Sequence, residues 1–153
     1  MMKLWFSMLL AGIILAFGAC NKDDTDQALI DKQLIEQYLV QNNITAQEHE
    51  SGMYYVITAE GNGDSPTISS TVEVKYKGYF LDNSVFDQTS GNQTATFPLN
   101  GLIEGWRIAI PLLKRGGKGT FFLPSALGYG SNPPPGIPSN AVLIFDIELI
   151  DFY

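Results

Sequence analysis

The sequence predicts an α+β domain, in which an antiparallel sheet packs against one short helix and a further helix precedes the sheet. Thr71–Phe80 alternates apolar with charged residues, which is typical of a strand with one buried and one solvated face. Asn140–Phe152 is rich in apolar and β-branched residues and predicts a second long strand. Between them, Leu102–Leu113 has the apolar spacing of a helix. Strands around one such helix predict the α+β class.

The chain begins with a segment that predicts export. Met1–Lys3 is basic, and Leu4–Phe17 is an uncharged apolar run that is too short for a stable membrane span. Residues 1–19 are therefore predicted to be a signal peptide. The sequence Gly-Ala-Cys ending at Cys20 resembles a bacterial lipobox, which implies cleavage before Cys20 and its lipidation. The alternative is an ordinary secretory signal, cleaved near Ala19, that leaves a free cysteine.

Lipidation at Cys20 would tether the protein to a membrane, because several acyl chains on one residue anchor firmly. Asn21, rather than Asp, favours sorting to the outer membrane in lipoproteins. Lys22-Asp23-Asp24 resembles a short surface-export signal. We therefore expect an outer-membrane lipoprotein of the cell envelope that faces either the periplasm or the cell surface.

Composition and charge exclude several classes of function. The formal net charge is −7, and the basic residues are scattered rather than clustered, which argues against nucleic-acid binding. The single cysteine excludes an intramolecular disulfide. The only histidine, His49, lies in the polar run Gln47–Ser51, which we interpret as a solvated loop. No spacing of metal ligands is present, so neither a metal nor another cofactor is expected.

The remainder of the chain divides into three parts. Residues 20–27 are acidic and polar, and we interpret them as a tether. Residues 28–48 are predicted to hold an N-terminal helix and a linker, because apolar side chains recur with helical spacing over Ala28–Gln41, with Asp26 as the predicted N-cap. Residues 49–153 are predicted to form the α+β domain.

Shorter strands are predicted between the N-terminal helix and the last strand. Met53–Ala59 has strand character and is followed by a glycine-proline turn. Val85–Asp87 follows the turn at Asp82-Asn83. Phe97 and Leu99 alternate as in a half-buried strand, and Pro98 marks a sheet edge or a strand end. Gly119–Leu123 is predicted to be a further strand, and Ala126–Ser139 is a long loop rich in glycine and proline.

The stretch Phe97–Trp106, FPLNGLIEGW, is the most informative part of the sequence. Asn100-Gly101 predicts a turn, and Ile103 and Trp106 share one face of the helix that follows. Gly105 beside Trp106 indicates a concave apolar surface with the indole as its floor. The alternative is that Trp106 is an ordinary core residue.

No arrangement of residues indicates covalent or metal chemistry. A Ser/His/Asp set, a Cys/His pair and a phosphate-binding glycine loop are all missing from the sequence. Six stretches, in order, resemble the FKBP family of peptidyl-prolyl cis/trans isomerases and together cover about Met53–Phe152. They are VKYKGYF (74–80), VFDQT (85–89), FPLNGLIEGW (97–106), KRGGKGTFFLP (114–124), LGYG (127–130) and PGIPSNAVLIFDIELI (135–150).

This resemblance implies a five- or six-stranded antiparallel sheet wrapped around one short helix, and a pocket for proline-containing polypeptides. It implies that Asp87, Tyr129, Ile103 and Trp106 are catalytic, with Trp106 as the floor and the Tyr129 hydroxyl and Ile103 N–H as donors to substrate carbonyls. It implies that Tyr76, Phe86, Leu102, Ile137 and Phe145 line the pocket. Ala95 stands where the family often has an aromatic wall.

Two functions are therefore expected from the resemblance. The first is a peptidyl-prolyl cis/trans isomerase that acts on envelope or surface polypeptides without covalent chemistry. The second is a non-catalytic proline-peptide-binding chaperone, or an accessory lipoprotein of a secretion or motility complex. The long helical dimerisation region of some bacterial relatives is not seen in this sequence, so we expect a monomer.

Overall fold

The computed structural model describes residues 22–153, with side chains described from Asp26 onward. The predicted signal peptide, residues 1–19, and the predicted lipidation site, Cys20, lie outside the described residues. Among the described residues, none of the helices has both the length and the apolar character needed to cross a bilayer.

The N-terminal helix α1 spans Lys22–Gln41. It begins before the predicted start at Ala28, so most of the stretch interpreted as a tether is helical, and Asp26 lies inside the helix rather than at its N-cap. The helix ends where predicted. Asn43 adopts a left-handed backbone conformation with φ 54°. Ile44 N–H donates to Leu39 C=O at 2.9 Å, which satisfies a carbonyl of the last turn.

The sheet is antiparallel throughout and confirms the predicted α+β fold. Its spatial order is β1-β2-β6-β7-β3-β4, and β5 pairs with a separate stretch of β3. The strands are β1 (Gln47–Glu48), β2 (Tyr54–Ala59), β3 (Thr71–Tyr79), β4 (Val85–Gln88), β5 (Ala95–Pro98), β6 (Lys118–Leu123) and β7 (Leu143–Phe152).

The described sheet has seven strands, one more than the upper number implied by the resemblance. The additional strand is the short β1, which forms inside the polar run that was interpreted as a loop. The turn at Gly52, with φ 84°, brings the chain back so that His49 N–H donates to Met53 C=O at 2.8 Å. Pro98 is the last residue of β5, which pairs only with β3 within the described sheet, as predicted for an edge.

The central helix α2 spans Glu104–Ala109 and continues as one turn of 3-10 helix over Ile110–Leu112. It is shorter than the predicted helix Leu102–Leu113 at both ends. Leu102 and Ile103 are extended, with ψ of 168° and 152°. Pro111 lacks the N–H that an α-helix would need at that position. A side chain at Gly105 would overlap Leu123, so glycine allows α2 to lie directly on β6.

Apolar residues form separate clusters on the two faces of the sheet, as the alternation of side chains along the strands requires. The inner cluster lies between the sheet and α2, and its buried members are Met53, Val72, Val74, Leu99, Trp106, Ala109, Ile110, Leu113, Phe121, Leu123, Leu143, Phe145, Ile147 and Leu149. The outer cluster lies between the sheet and α1, and its buried members are Ile35, Tyr38, Leu39, Tyr54, Phe122, Val142 and Ile144.

Candidate functional site

An aromatic cavity of about 180 Å³ opens at one end of the inner cluster. The strands β3, β4, β5 and β7, the start of α2 and the loop after β6 all contribute to it. Its lining residues are Tyr76, Phe86, Asp87, Phe97, Leu102, Ile103, Trp106, Tyr129 and Phe145. Elements that are distant in sequence therefore meet at this cavity, as the family resemblance of the six stretches implied.

The structure places all the predicted catalytic and pocket-lining residues on this cavity except Ile137. Ile137 is half-buried and packs against the inner cluster, but it is not among the residues that line the cavity. Phe97 lines the cavity and was not predicted to be a site residue. Its place two residues after Ala95 on β5 could have revealed it, because side chains at i and i+2 of a strand share one face.

Trp106 is held at the floor of the cavity by the edges and faces of other rings. It is only 5% exposed. Its ring lies 5.1 Å from Tyr76 at 82° and 5.3 Å from Phe145 at 89°, both favourable edge-to-face arrangements. The indole Nε1 is buried and has no hydrogen-bond partner among the described residues. Aromatic packing, rather than a hydrogen bond, therefore orients this ring.

Phe86 forms a wall of the cavity, and a glycine allows it to approach the sheet. The Phe86 and Phe145 rings are 5.5 Å apart at 89°. A Cβ atom at Gly78 would lie 2.7 Å from Phe86 Cζ and 2.8 Å from Phe145 Cε1, which is closer than atoms pack. Glycine at this position of β3 is therefore required for the two rings to meet over the strand.

The polar groups of the cavity are two phenols and one carboxylate. Tyr76 hydroxyl donates to Asp87 Oδ2 at 2.6 Å. Burial is the main cause that raises the pKa of Tyr76, and the hydrogen bond to Asp87 raises it further. Burial is also the main cause that raises the pKa of Tyr129, and the negative charge of Asp87 raises it further. Both phenols therefore keep their protons at neutral pH and remain hydrogen-bond donors.

Two donors at the cavity have no partner within residues 22–153. The Tyr129 hydroxyl makes no hydrogen bond to these residues, and its side chain is 37% exposed. The Ile103 N–H precedes the first turn of α2 and is likewise unpaired in this part of the chain. The site thus combines an apolar floor and walls with donors that are free to bind a carbonyl oxygen.

The described residues do not suggest a metal centre. Within residues 22–153, no group of three or more His, Cys, Asp or Glu side chains could hold a metal ion. His49 lies in the turn between β1 and β2, where its Nδ1 accepts a hydrogen bond from Ser51 N–H at 3.1 Å. Asp87 is the only acidic side chain among the residues that line the aromatic cavity.

Comparison with known proteins identifies the family. The family model described as FKBP-type peptidyl-prolyl cis-trans isomerase matches residues 63–150. The chain belongs to this family. The match includes every residue that lines the aromatic cavity and leaves α1 outside. It confirms the resemblance predicted from the sequence.

Individual relatives agree with this assignment. The chain is 39% identical over 132 residues to the FKBP-type peptidyl-prolyl cis-trans isomerase FkpA of Aeromonas hydrophila, covering 84% of this chain and 49% of that protein. The crystal structure of FkpA from Escherichia coli matches with a TM-score of 0.73 and 34% identity, covering 86% of this chain and 61% of that one.

A peptidyl-prolyl cis-trans isomerase structure from Pseudomonas syringae pv. tomato matches with a TM-score of 0.72 and 25% identity, covering 88% of this FKBP-family chain and 98% of that chain. The chain spans about half the length of the FkpA proteins of Aeromonas hydrophila and Escherichia coli.

Proposed function

We propose that this protein catalyses cis/trans isomerisation of X–Pro bonds in polypeptides of the bacterial cell envelope. The observation that carries the proposal is an open aromatic cavity with unpaired N–H and O–H donors at its edge. Family membership supports it, since the matched region contains the whole cavity. Among the residues that line the cavity there is no serine, cysteine or histidine nucleophile, so the chemistry proposed here is non-covalent.

The reaction needs only stabilisation of a twisted amide. Rotation of an amide meets a barrier of about 18–20 kcal/mol, because resonance is lost as the bond twists. The planar amide is more charge-separated than the twisted one, so water stabilises it more, and exclusion of water lowers the barrier. A cavity that fits the twisted form better than the planar form acts in the same direction. Each tenfold increase in rate requires the activation free energy to fall by about 1.4 kcal/mol.

Each group in the cavity has a role in this proposal. The proline ring packs on the Trp106 indole, with Phe86 and Phe145 as walls that exclude water. The hydroxyl of Tyr129 and the N–H of Ile103 donate to the carbonyl groups on either side of the proline. Asp87 fixes the Tyr76 ring through the 2.6 Å hydrogen bond. Leu102 completes the apolar lining.

The test uses residues 21–153, which contain both apolar clusters and every described strand. Cis-to-trans conversion of a short X-Pro-Phe peptide is followed for wild type, Asp87→Ala and Tyr129→Phe. We expect catalysis by wild type, and a fall of about tenfold or more in kcat/KM for each variant, as loss of one charged or neutral hydrogen-bonding group predicts.

Matched controls separate the site from general effects. Tyr153→Phe changes an exposed tyrosine at the chain end, and Asp64→Ala changes an exposed acid in a turn. Both should retain the wild-type rate. A wild-type rate equal to the uncatalysed rate, from a protein that is folded, would contradict the proposal.

The second candidate function is a binding module that holds proline-containing segments with little turnover, as a chaperone or an accessory subunit. Ala95 favours it, because a small side chain replaces the aromatic wall that the family often has on β5. The same experiment distinguishes the two functions. A protein that binds the peptide, seen as a change in Trp106 fluorescence, but leaves the isomerisation rate unchanged would support the binding module.

For the location, we propose an outer-membrane lipoprotein acylated at Cys20 after cleavage of residues 1–19, facing the periplasm or the cell surface. The support is the lipobox-like sequence that ends at Cys20 and, for the outer membrane, Asn21 after it. Mass spectrometry of the full-length protein expressed in a Gram-negative host should find the acylated Cys20 as the first residue. A mature chain with an unmodified Cys20 would contradict the proposal and favour an ordinary secretory signal.

We also propose that the protein is a monomer. The outer face of the sheet is covered by α1 of the same chain, so this cluster is completed without a second copy. Light scattering of residues 21–153 should give the mass of one chain, and twice that mass would contradict the proposal.

A further inference from the structure

The first half of α1 contacts the domain through a buried acid. Asp31 is only 1% exposed. Its Oδ2 accepts hydrogen bonds from Ser125 N–H at 2.8 Å and from the Ser125 hydroxyl at 2.6 Å. Its Oδ1 accepts from Gln27 Nε2 at 2.7 Å. Both oxygens of this buried carboxylate accept hydrogen bonds, and without Asp31 the two donors of Ser125 would lose the one oxygen that they share.

Ser125 is the second residue of the loop that carries Tyr129, here called the Tyr129 loop and defined as residues 124–142 between β6 and β7. The Ser125 carbonyl accepts hydrogen bonds from Gly128 N–H at 3.0 Å and from Gly130 N–H at 2.9 Å. These are the two neighbours of Tyr129 in the chain. The position of Ser125 therefore sets the position of the backbone on both sides of Tyr129.

The other end of the Tyr129 loop is tied to the same helix. Asn140 N–H donates to Gly130 C=O at 2.8 Å, which joins the far end of the loop to the residue that follows Tyr129. Asn140 Nδ2 donates to Gln27 Oε1 at 3.2 Å, and Gln27 in turn donates to Asp31. One connected network thus joins α1 to both ends of the loop.

The buried apolar clusters do not extend to the junction between the first half of α1 and the Tyr129 loop. A cavity of about 870 Å³ lies between them, lined by residues of both. The buried apolar contacts of α1 begin only at Ile35, further along the helix. At this junction the hydrogen bonds of Asp31 and Gln27, rather than interlocking side chains, hold the loop.

We propose that Asp31 is a positioning residue for Tyr129, so that the N-terminal helix sets the peptide affinity of the aromatic cavity through Ser125. The inference rests on the proposed function, in which the Tyr129 hydroxyl donates to the substrate. Asp31 does not line the aromatic cavity and acts only through the Tyr129 loop. The helix is thereby a part of the site, although it lies outside the region matched by the family.

The test is a double-mutant cycle between Asp31→Ala and Tyr129→Phe in residues 21–153. Trp106 is the only tryptophan of these residues, so its fluorescence reports peptide binding independently of turnover. Relative to wild type, we expect Asp31→Ala to raise the peptide Kd and to lower kcat/KM, each by about tenfold. When the same change is added to the Tyr129→Phe variant, we expect both effects to be about twofold or less. Ser125→Ala, which removes only the hydroxyl partner, should give a smaller change in the same direction.

Gln33→Ala is the matched control, because Gln33 is exposed on the same helix. It should behave as wild type. The inference is overturned if folded Asp31→Ala matches wild type, or if its effect and that of Tyr129→Phe simply multiply. If Asp31→Ala does not fold, Ser125→Ala decides by the same criteria.

The outcome for wild type separates this inference from the proposed function. Wild type that isomerises or binds the peptide, together with an unaffected Asp31→Ala variant, overturns the inference alone. Wild type that neither binds nor isomerises the peptide overturns both.

Discussion

The two faces of the sheet are built from the same strands but are completed differently. On β7, Phe145 and Ile147 belong to the inner cluster, while Ile144 belongs to the outer cluster. The outer cluster is covered by α1 along the second half of that helix. The inner cluster is covered by the much shorter α2, which leaves the aromatic cavity open at one end.

This difference shows how a small domain can combine stability with an open apolar site. Full coverage maximises buried area, and each buried side chain adds about 1.5–3 kcal/mol. Partial coverage leaves aromatic rings in contact with solvent, and a bound peptide can then displace that solvent. Changes to the apolar side chains of the outer cluster should therefore alter stability, and changes to the rings of the aromatic cavity should alter binding.

The largest expected effect is on the outer face. Phe122 is 0% exposed and its ring lies 6.0 Å from that of Tyr38. Phe122→Ala should lower the free energy of unfolding by about 3–5 kcal/mol, since it leaves a cavity between the sheet and α1. Urea denaturation measures this loss. At low temperature, kcat/KM per folded molecule should stay at the wild-type value.

Phe86→Ala is the matched change at the cavity. Phe86 is half-buried and packs on Phe80 at 4.8 Å between ring centres. Its removal should lower stability less than Phe122→Ala, because less buried surface is lost, but should weaken peptide binding by about tenfold. Equal effects of the two variants on both stability and binding would show that the faces are not functionally distinct.

A smaller effect on stability and peptide binding is expected at Gly78, where β3 contacts the wall of the aromatic cavity. Gly78→Ala would force the rings of Phe86 and Phe145 apart, because the added Cβ lies within 2.8 Å of both. We expect a loss of about 1–3 kcal/mol in stability and weaker peptide binding. Gly101→Ala is the control, since a Cβ there meets nothing within 4 Å. Peptide binding equal in both variants would show that the ring positions do not matter.

Much of this arrangement could be predicted from the sequence, because it depends on local patterns. The alternation in Thr71–Phe80 and the glycine before Trp106 are local signals, and they led to the sheet and to the cavity floor. The start of α1 and the partners of Asp31 could not be predicted, since they depend on contacts across the fold. Asp31 and Ser125 are 94 residues apart in sequence, and neither lies in a recognisable motif.

The pH dependence should differ between stability and activity. Burial raises the pKa of Tyr79 on the outer face and of Tyr76 and Tyr129 at the cavity above the ordinary value of 10.0. As pH rises past 10.0, these tyrosines lose protons first in the unfolded state, so the stability that is complete at lower pH declines. Activity should stay constant up to that pH, because the Tyr129 donor remains protonated.

Urea denaturation and peptide isomerisation measured between about pH 8 and about pH 11 test this expectation. Tyr79→Phe should make the decline in stability shallower and leave the activity profile unchanged. A decline in stability that begins well below the ordinary tyrosine pKa, with Tyr79→Phe identical to wild type, would contradict it.

The smallest expected effect is a gain in peptide affinity at the aromatic cavity. Ala95 is half-buried on β5, on the same strand face as Phe97, which lines the cavity. Ala95→Phe should extend the aromatic wall and strengthen peptide binding by about threefold, as one added aromatic contact predicts. Thr96→Phe adds the same ring to the opposite, exposed face of β5 and should leave the Kd unchanged. Fluorescence titration of both variants decides the question. A gain for Ala95→Phe alone would show that the inner face is left open by the size of its side chains as well as by the shortness of α2, whereas equal Kd values would leave the short helix as the sole cause.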